Sequence, residues 1–335
     1  MKFRTLLGCV VAGVLASSAA LAADPIVIKF SHVVAPSTPK GKAAEMFKKL
    51  AEERTQGRVK VEVYPNSQLY KDKEEMEALQ LGAVQMLAPS LAKFGPLGVR
   101  EFEVFDLPYI FPSKEVLRAV TDGPVGQGLL RKLETKGILG LAFWDNGFKI
   151  MSANTPMKSP EDMKGLKVRI QSSKVLDAQM RALGALPQTM AFSEVYQALQ
   201  TGVVDGTENP PSNMYTQKMH EVQKHAILSN HGYLGYAVIV NKKFWEGLPT
   251  DVRAILEGAM NESSRFANAI AQAENDDALA AMTASGKTAF YAPTPDDIAA
   301  WRKALLPVHQ QMESRVGKEI IQAVYKESEK LGFKN

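Results

Sequence analysis

The sequence predicts an α/β fold in which two domains enclose a cleft. Near the start, a strand over residues 26–30, an amphipathic helix over 42–56 and a strand over Val59–Tyr64 follow one another at the spacing of a βαβ unit. A second series of strand and helix patterns occupies residues 165–211. Two such series predict two sheets, each covered by helices, as in two adjoining α/β domains.

The first series continues as far as an expected exit from the first domain. Its remaining helices and strands are predicted at 72–81, 84–88, 114–120, 127–136 and 138–144. Residues 101–112 are rich in aromatic side chains, which indicates core packing rather than a cofactor site. We expect a turn over 145–149, where the chain crosses to the second domain.

The second series centres on a strand over Lys167–Ile170, preceded by a short helix between Ser159 and Gly165. We expect an Asn-Pro loop at Asn209. The other helices and strands of this part are predicted at 173–183, 193–202, 225–229, 234–240 and 287–291. The chain contains no proline between Thr250 and Gly286, so one long helix is expected to run along both domains. The terminal helices should cover the second domain.

These elements suggest definite domain bounds. Residues 1–22 form a signal peptide, residues 23–146 with 235–274 form domain I, and residues 147–234 with 275–335 form domain II.

The first 22 residues have the features of a cleaved secretory signal. Lys2 and Arg4 precede a short apolar run, and small residues end in Ala20-Leu21-Ala22. The run is too short to span a bilayer, which argues against the alternative of a membrane anchor. The one cysteine, Cys9, lies inside this signal, too early for a lipidation site, so the mature chain cannot form disulfides. A cysteine-free exported chain is compatible with the bacterial periplasm.

Composition excludes several classes of function. Removing the first 22 of 335 residues leaves 313, and the formal charge of +4 falls to about +2. There is no basic run interleaved with aromatic residues, so we expect no nucleic-acid partner. His220, His225 and His231 do not share a helical face, and we expect no metal site. The motifs of a secreted hydrolase, G-x-S-x-G and H-E-x-x-H, are absent from the sequence, so we do not expect an enzyme.

The candidate binding residues follow the predicted strands, because ligands of open α/β sheets bind beyond the carboxyl ends of the strands. Such turns contain His32, Lys40, Lys71, Ser90 and Lys149, each of which offers a hydrogen-bond donor to an anion. Lys40 and Lys71 are also compatible with solvated surface lysines, and His32 with a hydrogen-bonded turn residue.

Arg169 and Asn209 are the central candidates. Arg169 lies late in an apolar strand, and its planar guanidinium can donate two parallel hydrogen bonds to a carboxylate. Asn209 precedes two prolines, which restrain its backbone. The alternatives are an intramolecular salt bridge for Arg169 and a turn or capping role for Asn209.

Several long segments resemble the DctP-type solute-binding proteins, the extracytoplasmic receptors of tripartite ATP-independent periplasmic (TRAP) transporters. They are SHVVAPSTPKGKAAEMF, YPNSQLYKDKEEMEALQLGAVQM, PEDMKGLKVR, MAFSEVYQALQTGVVDGTENP and EVQKHAILSNHGY. The resemblance covers essentially the whole mature chain. It implies a two-domain Venus-flytrap fold, with hinge strands and a long helix spanning both domains, that closes on an organic acid.

The resemblance also implies roles for individual residues. Arg169, in the GLKVR strand, would pair with the substrate carboxylate, Asn209 would help to hold the same group, and Phe192 would pack on the ligand. Lys149 and Ser90 stand where sialic-acid-binding members have an arginine and a glutamate. These differences argue against sialic acid.

The segments HGYLGY and FWDNGFK look like those of receptors for four-carbon dicarboxylates such as succinate, malate and fumarate. A buried dianion needs donors at each end. Lys40, Lys71 or Lys149, with Ser90, would serve the second carboxylate, and the sequence does not choose among these lysines. Phe192 and Tyr236 could fill the apolar middle.

We therefore expect a monomeric periplasmic binding protein, without cofactor, that delivers its ligand to the TRAP permease subunits in the membrane. Two alternatives stay open. The same fold could bind another organic acid, such as a keto acid, sugar acid or aromatic acid, or it could act as a sensory co-receptor.

Overall fold

The computed structural model of the chain describes residues 24–333. The expected signal peptide and Cys9 lie outside these residues. The strands in this part of the chain are β1 (Ile26–Ser31), β2 (Val59–Tyr64), β3 (Met86–Leu87), β4 (Ile138–Phe148), β5 (Ile150–Ala153), β6 (Lys167–Ile170), β7 (Leu186–Thr189), β8 (Gly206–Asn209), β9 (His225–Ile227), β10 (Tyr233–Asn241) and β11 (Ala289–Tyr291). The helices are α1 (Pro39–Arg54), α2 (Glu75–Gln80), α3 (Lys114–Asp122), α4 (Pro124–Lys132), α5 (Lys174–Ala182), α6 (Val195–Gln200), α7 (Pro211–Thr216), α8 (Lys242–Glu246), α9 (Thr250–Ser285), α10 (Pro295–Leu305), α11 (Pro307–Val316) and α12 (Lys318–Lys330).

The strands form two sheets, one in each domain, as expected for a two-domain α/β fold. The first sheet has the order β2-β1-β3-β10-β4, with β1 parallel to both β2 and β3. The second has the order β11-β9-β5-β8-β6-β7, with β6 parallel to both β7 and β8. Four apolar clusters cover the faces of the sheets. Three of them include residues of both domains, such as Val33 and Val34, which pack with Phe192.

Two chain crossings join the domains through adjoining strands, and α9 makes a further crossing between β10 and β11. The first runs from β4 into β5, and the second runs from β9 into β10. The expected turn over 145–149 is wrong, because β4 continues to Phe148 and pairs with Tyr233 of β10. The backbone of Lys149 then donates a hydrogen bond to the carbonyl of Gly232. Each crossing strand thus satisfies the backbone groups of the other, which a free turn could not do.

The long helix predicted before Gly286 is confirmed as α9, which spans 36 residues. It packs on α1 and β4 of the first domain and on α7 of the second. The indole of Trp144 in β4 donates a hydrogen bond to Ser264 of this helix at 2.8 Å. The helix therefore fixes the first sheet and reaches the residues that follow β8.

The last helices differ from the expectation that they cover the second domain. Helix α10 packs on α5, but α12 packs on α3, α4 and the 3₁₀ turn Arg100–Asp106 of the first domain. Its apolar residues Ile321 and Val324 join the aromatic cluster around Phe105. The amphipathic pattern of a helix identifies its buried face but not the partner of that face. The domain bounds themselves stay a prediction.

We expect Gly41→Ala to destabilise the protein. A Cβ atom at Gly41 would lie 2.5 Å from the carbonyl oxygens of Ala35 and Pro36, because the loop after β1 crosses α1 at this point. Overpacking of this kind costs about 1–3 kcal/mol, measurable by urea unfolding.

The matched control is Gly258→Ala in the exposed face of α9, where no atom lies within 4 Å of the added carbon. That change should stabilise the helix by up to about 1 kcal/mol. Equal stability of the Gly41→Ala variant and the wild type would contradict the assigned contact.

Candidate ligand-binding site

Arg169 lies buried on β6, between β8 and the edge strand β7 of the second sheet, with an exposed fraction of 1%. Its Nε and Nη2 atoms donate hydrogen bonds to the carbonyl of Met190 at 3.2 and 3.0 Å, and its guanidinium carbon lies 5.8 Å from the centre of the Phe192 ring. No carboxylate of residues 24–333 forms an ion pair with it. Burial lowers the pKa of Arg169, but an arginine stays protonated in proteins. Arg169 is therefore a buried cation available to an anion.

Asn209 lies beside Arg169 because of the register between β6 and β8. Arg169 is aligned with Thr207, and side chains alternate along a strand, so Thr207 and Asn209 share the face of Arg169. The amide nitrogen of Asn209 donates to the Thr207 hydroxyl at 3.3 Å. Its carbonyl oxygen has no partner among the described residues. The expected Asn-Pro loop is wrong in one respect, because Asn209 is the last residue of β8 and pairs with Ile150 of β5.

Lys40 is the buried cation of the facing domain. Its Nζ atom donates to the carbonyl of Ala88 at 2.9 Å and lies 3.7 Å from the centre of the Tyr236 ring. Burial lowers the pKa of Lys40 to about 8, against the opposing effect of Glu75 and Asp72. The lysine thus remains mainly charged at neutral pH. Like Arg169, it forms no ion pair with a carboxylate of the described chain.

Tyr236 and two asparagines form a hydrogen-bond network next to Lys40. The Tyr236 hydroxyl accepts a hydrogen bond from the amide of Asn146 at 2.7 Å, and the same amide donates to Asn213 at 2.9 Å. The hydroxyl of Ser212 donates to the side-chain Oδ1 atom of Asn146 at 2.8 Å. Asn146 belongs to a crossing strand and Asn213 to α7, so this network links both domains to the Lys40 pocket. Neither asparagine was among the predicted binding residues, although Asn146 lies in the predicted turn over 145–149.

Three charged residues near Lys40 were also not predicted from the sequence: Asp72, Glu75 and Lys93. Asp72 forms an ion pair with Lys93 at 3.0 Å and accepts a hydrogen bond from the backbone N–H of Phe192 at 2.6 Å. Glu75 lies near them, buried in α2. Asp72 and Glu75 belong to the polar segment KDKEEMEALQ, which suggests a solvated helix, whereas Lys93 follows β3. Only the position of Glu75 one turn from Leu79, on the buried side of α2, could have indicated its burial.

Three of the side-chain contacts between the domains lie near Lys40, Ser90 or Phe192. The first is the Asp72–Phe192 hydrogen bond, and the second is an ion pair between Lys71 and Glu194 at 2.9 Å. In the third, the amide of Gln171 donates to the hydroxyl of Ser90 at 2.7 Å. Ser90 is buried in the cleft, whereas the Lys71 side chain is 51% exposed. The structure thus pairs Lys71 with Glu194 at the exposed rim, apart from Arg169.

Lys149 is likewise not placed with Arg169. Its Nζ atom lies 2.7 Å from Glu208, and the second oxygen of Glu208 lies 2.8 Å from Nε2 of His231. Glu208 points to the opposite face of β8 from Thr207 and Asn209. Burial alone would raise the pKa of Glu208, but Lys149 and His231 lower it to about 2. Lys149 therefore neutralises a buried carboxylate at the domain crossing.

His32 lies fully buried at the end of β1. Burial and the charge of Lys40 lower the pKa of His32 to about 3, so its imidazole is neutral near pH 7. It borders the Lys40 pocket without adding a charge. Phe192 and Tyr236 are buried beside Arg169 and Lys40, respectively, as apolar parts of the two walls.

Residues 24–333 contain no helix with the length and hydropathy needed to cross a membrane. Within the same range, no three His, Cys, Asp or Glu side chains are grouped so that they could hold a metal ion.

The family model of bacterial extracellular solute-binding proteins, family 7 (DctP), matches residues 30–315. The chain belongs to the DctP family. A family relative from Rhodobacter capsulatus, the C4-dicarboxylate-binding periplasmic protein DctP, is 69% identical over 97% of this chain and 98% of its own length.

Solved structures of DctP-family relatives share the same fold. A TRAP periplasmic solute-binding protein from Sulfurospirillum deleyianum, with bound succinate, is 48% identical with a TM-score of 0.87, covering 89% of this chain and 98% of the relative. One from Pseudomonas aeruginosa, with bound L-malate, is 44% identical with a TM-score of 0.84, covering 86% and 100%. The expected α/β fold and the resemblance to solute-binding proteins are confirmed.

We predict that Lys149→Met lowers the free energy of unfolding by about 3 kcal/mol, because it leaves the buried Glu208 without its lysine partner. The pKa of Glu208 is lower in the folded state than in the unfolded chain, so its stabilising contribution is present above the unfolded value of about 4.3. That contribution is lost as the pH falls towards 2. The variant should therefore also lose part of the acid dependence of unfolding, measured in urea between about pH 2 and 7.

Lys60→Met is the matched control, because the Lys60–Glu62 pair is exposed and screened by solvent, so its loss should change stability far less. Equal effects of the two substitutions would show that the Lys149 pair is not buried as described.

Proposed function

We propose that this member of the DctP family binds a four-carbon dicarboxylate between Arg169 and Lys40. The observation that carries the proposal is the presence of two buried cations, one from each domain, that form no ion pair with a protein carboxylate. An isolated buried charge is costly, which favours an anion that contacts both. Arg169 with Asn209 would hold one carboxylate, and Lys40 with Ser90 would hold the other.

The net positive charge of the cleft supports a ligand with two negative charges. Arg169, Lys40 and Lys93 are positive, Asp72 is negative, and His32 is neutral near pH 7. Burial and Asp72 raise the pKa of Glu75 to about 8, so this carboxyl group is mainly neutral at the same pH. The excess of about two positive charges matches a succinate-like ligand rather than a monocarboxylate.

The comparisons support the same ligand class. The Rhodobacter capsulatus relative is named for binding C4-dicarboxylates, and the two solved relatives contain succinate and L-malate. Their shared ligand chemistry is two carboxylates on a short chain, which agrees with one cation on each wall of this cleft.

The mechanism is capture by closure of the domains. Arg169 and Asn209 belong to one wall and Lys40 to the other, so a dicarboxylate contacts both walls only when the cleft is closed. A ligand shifts a conformational equilibrium by its difference in affinity for the two states, and these contacts therefore favour closure. The signal over residues 1–22 would export the protein to the periplasm, where its closed form would deliver the ligand to the TRAP permease.

We predict that Arg169→Lys weakens succinate binding by about 30-fold or more, because a lysine cannot donate the paired hydrogen bonds of a guanidinium. Isothermal titration calorimetry on the mature protein would measure the change. Arg181→Lys is the control, because Arg181 lies exposed on α5 and pairs only with Asp177 among the described residues. Unchanged affinity in the Arg169→Lys variant would eliminate Arg169 as the anchor.

A second prediction tests which lysine holds the other carboxylate. Lys40→Met should weaken succinate binding strongly and butyrate binding little, because butyrate lacks the second carboxylate. The preference for succinate over butyrate should therefore largely disappear. Lys71→Met should leave that preference intact, because Lys71 pairs with Glu194 at the rim. The opposite pattern would move the second anchor from Lys40 to Lys71.

A further inference from the structure

Glu75 is a buried carboxyl group without a hydrogen-bond partner. It lies in α2 with an exposed fraction of 1%, and its Oε1 atom is fully enclosed. Neither of its oxygens accepts a hydrogen bond or forms an ion pair within the described chain. Buried carboxyl groups are normally paired or hydrogen-bonded, so this arrangement indicates a missing partner.

The charged groups around Glu75 come from three parts of the first domain. They are Lys40 of α1, Asp72 and Glu74 before α2, and Lys93 after β3. Lys93 is paired with Asp72, and the ammonium of Lys40 donates to the Ala88 carbonyl. Glu74 is exposed. The carboxyl group of Glu75 therefore lies in the electrostatic environment of Lys40, the residue proposed to bind the second carboxylate of the ligand.

The protonation state of Glu75 follows from these surroundings. Burial and the charge of Asp72 raise the pKa of Glu75 to about 8, against the attraction of Lys40 and Lys93. Near pH 7 the group is mainly a neutral acid with an O–H donor. If it were ionised, its charge would repel a second carboxylate placed at Lys40.

We propose that Glu75 contacts the ligand as a neutral carboxyl group, donating a hydrogen bond to the carboxylate that Lys40 holds, and so makes capture dependent on its proton. This inference rests on the proposed binding of a dicarboxylate and adds a specificity-determining residue to it. Hydrogen bonds from a donor to an ionised acceptor are among the stronger ones in proteins. The neutral acid completes the second carboxylate subsite without removing a positive charge from the cleft.

The pH dependence has a defined sign. The proton is present below a pH of about 8, so succinate affinity should be steady between about pH 6 and 7 and should fall above about 8. Lys40 loses its charge over the same range and weakens binding in the same direction. A measurement that reports on Glu75 alone is therefore needed.

The experiment combines infrared spectroscopy with calorimetry on the mature protein. A protonated carboxyl group has a carbonyl stretching band that carboxylates lack. The wild-type minus Glu75→Gln difference spectrum isolates the band of Glu75 from other neutral acids, such as Asp106, whose pKa burial raises to about 7. We expect the band in both the free and succinate-bound wild type at pH 7. In the free protein it should disappear as the pH rises through about 8.

Calorimetry tests the hydrogen bond itself. At pH 7, Glu75→Gln should bind succinate within about threefold of wild type, because its amide also donates a hydrogen bond. Glu75→Met has a similar volume but no donor and should bind at least about tenfold more weakly. Glu77→Gln, on the exposed face of the same helix, should match wild type. Thermal unfolding checks that each variant is folded.

The outcomes separate this inference from the proposed function. If wild type binds succinate but the infrared band is missing at pH 7, or if Glu75→Gln binds as weakly as Glu75→Met, the neutral donor is wrong and the dicarboxylate site stands. If wild type shows the band but does not bind succinate, the proposed ligand is wrong, and with it the role of Glu75 towards that ligand.

Discussion

The arrangement on which the site depends is the burial of the Arg169 guanidinium without a carboxylate partner. Strand β6 places this side chain inside the second domain, where the carbonyl of Met190 and the ring of Phe192 hold it in position. The register of β6 with β8 then places Asn209 on the same face. A buried cation that the protein does not neutralise is an energetic cost of the fold, and an anionic ligand relieves that cost. The cleft therefore has affinity for acids because the fold leaves the Arg169 guanidinium without a carboxylate partner from the protein.

Strand β8 connects this site with the domain crossings. Its alternating side chains direct Asn209 to the face of Arg169 and Glu208 to the opposite face. There Lys149, between β4 and β5, and His231, between β9 and β10, contact Glu208. A shift of β8 on closure would therefore move both a ligand contact and a buried ion pair. On the facing wall, the network of Asn146, Asn213 and Tyr236 has a similar double role, because it links a crossing strand to the pocket of Lys40.

Local patterns predicted the elements well and the partners of charged groups poorly. Strands β2 and β6, the long helix α9 and the buried Arg169 agree with the sequence because apolar periodicity and glycine or proline positions are local signals. Lys149 was expected at the ligand, but its acceptor Glu208 is 59 residues away in sequence. Asp72 and Glu75 were missed because a run of charged residues resembles a solvated surface. Lys93 was missed because an isolated lysine does not reveal its distant partner Asp72. The amphipathic pattern of the last helix likewise did not indicate that its apolar face packs on α3 and α4.

The sequence by itself determined that the chain makes two α/β domains and that an arginine lies within an apolar strand, since both depend on residues near each other in the chain. It also contained enough of the family's segments to predict membership in the DctP family. Only the tertiary structure decided which cations stay unpaired. Lys40 and Arg169 remain available, Lys71 pairs at the rim and Lys149 pairs at the crossing. The physical reason is that the charge state and pairing of a buried group depend on distances between distant segments, which sequence periodicity does not encode.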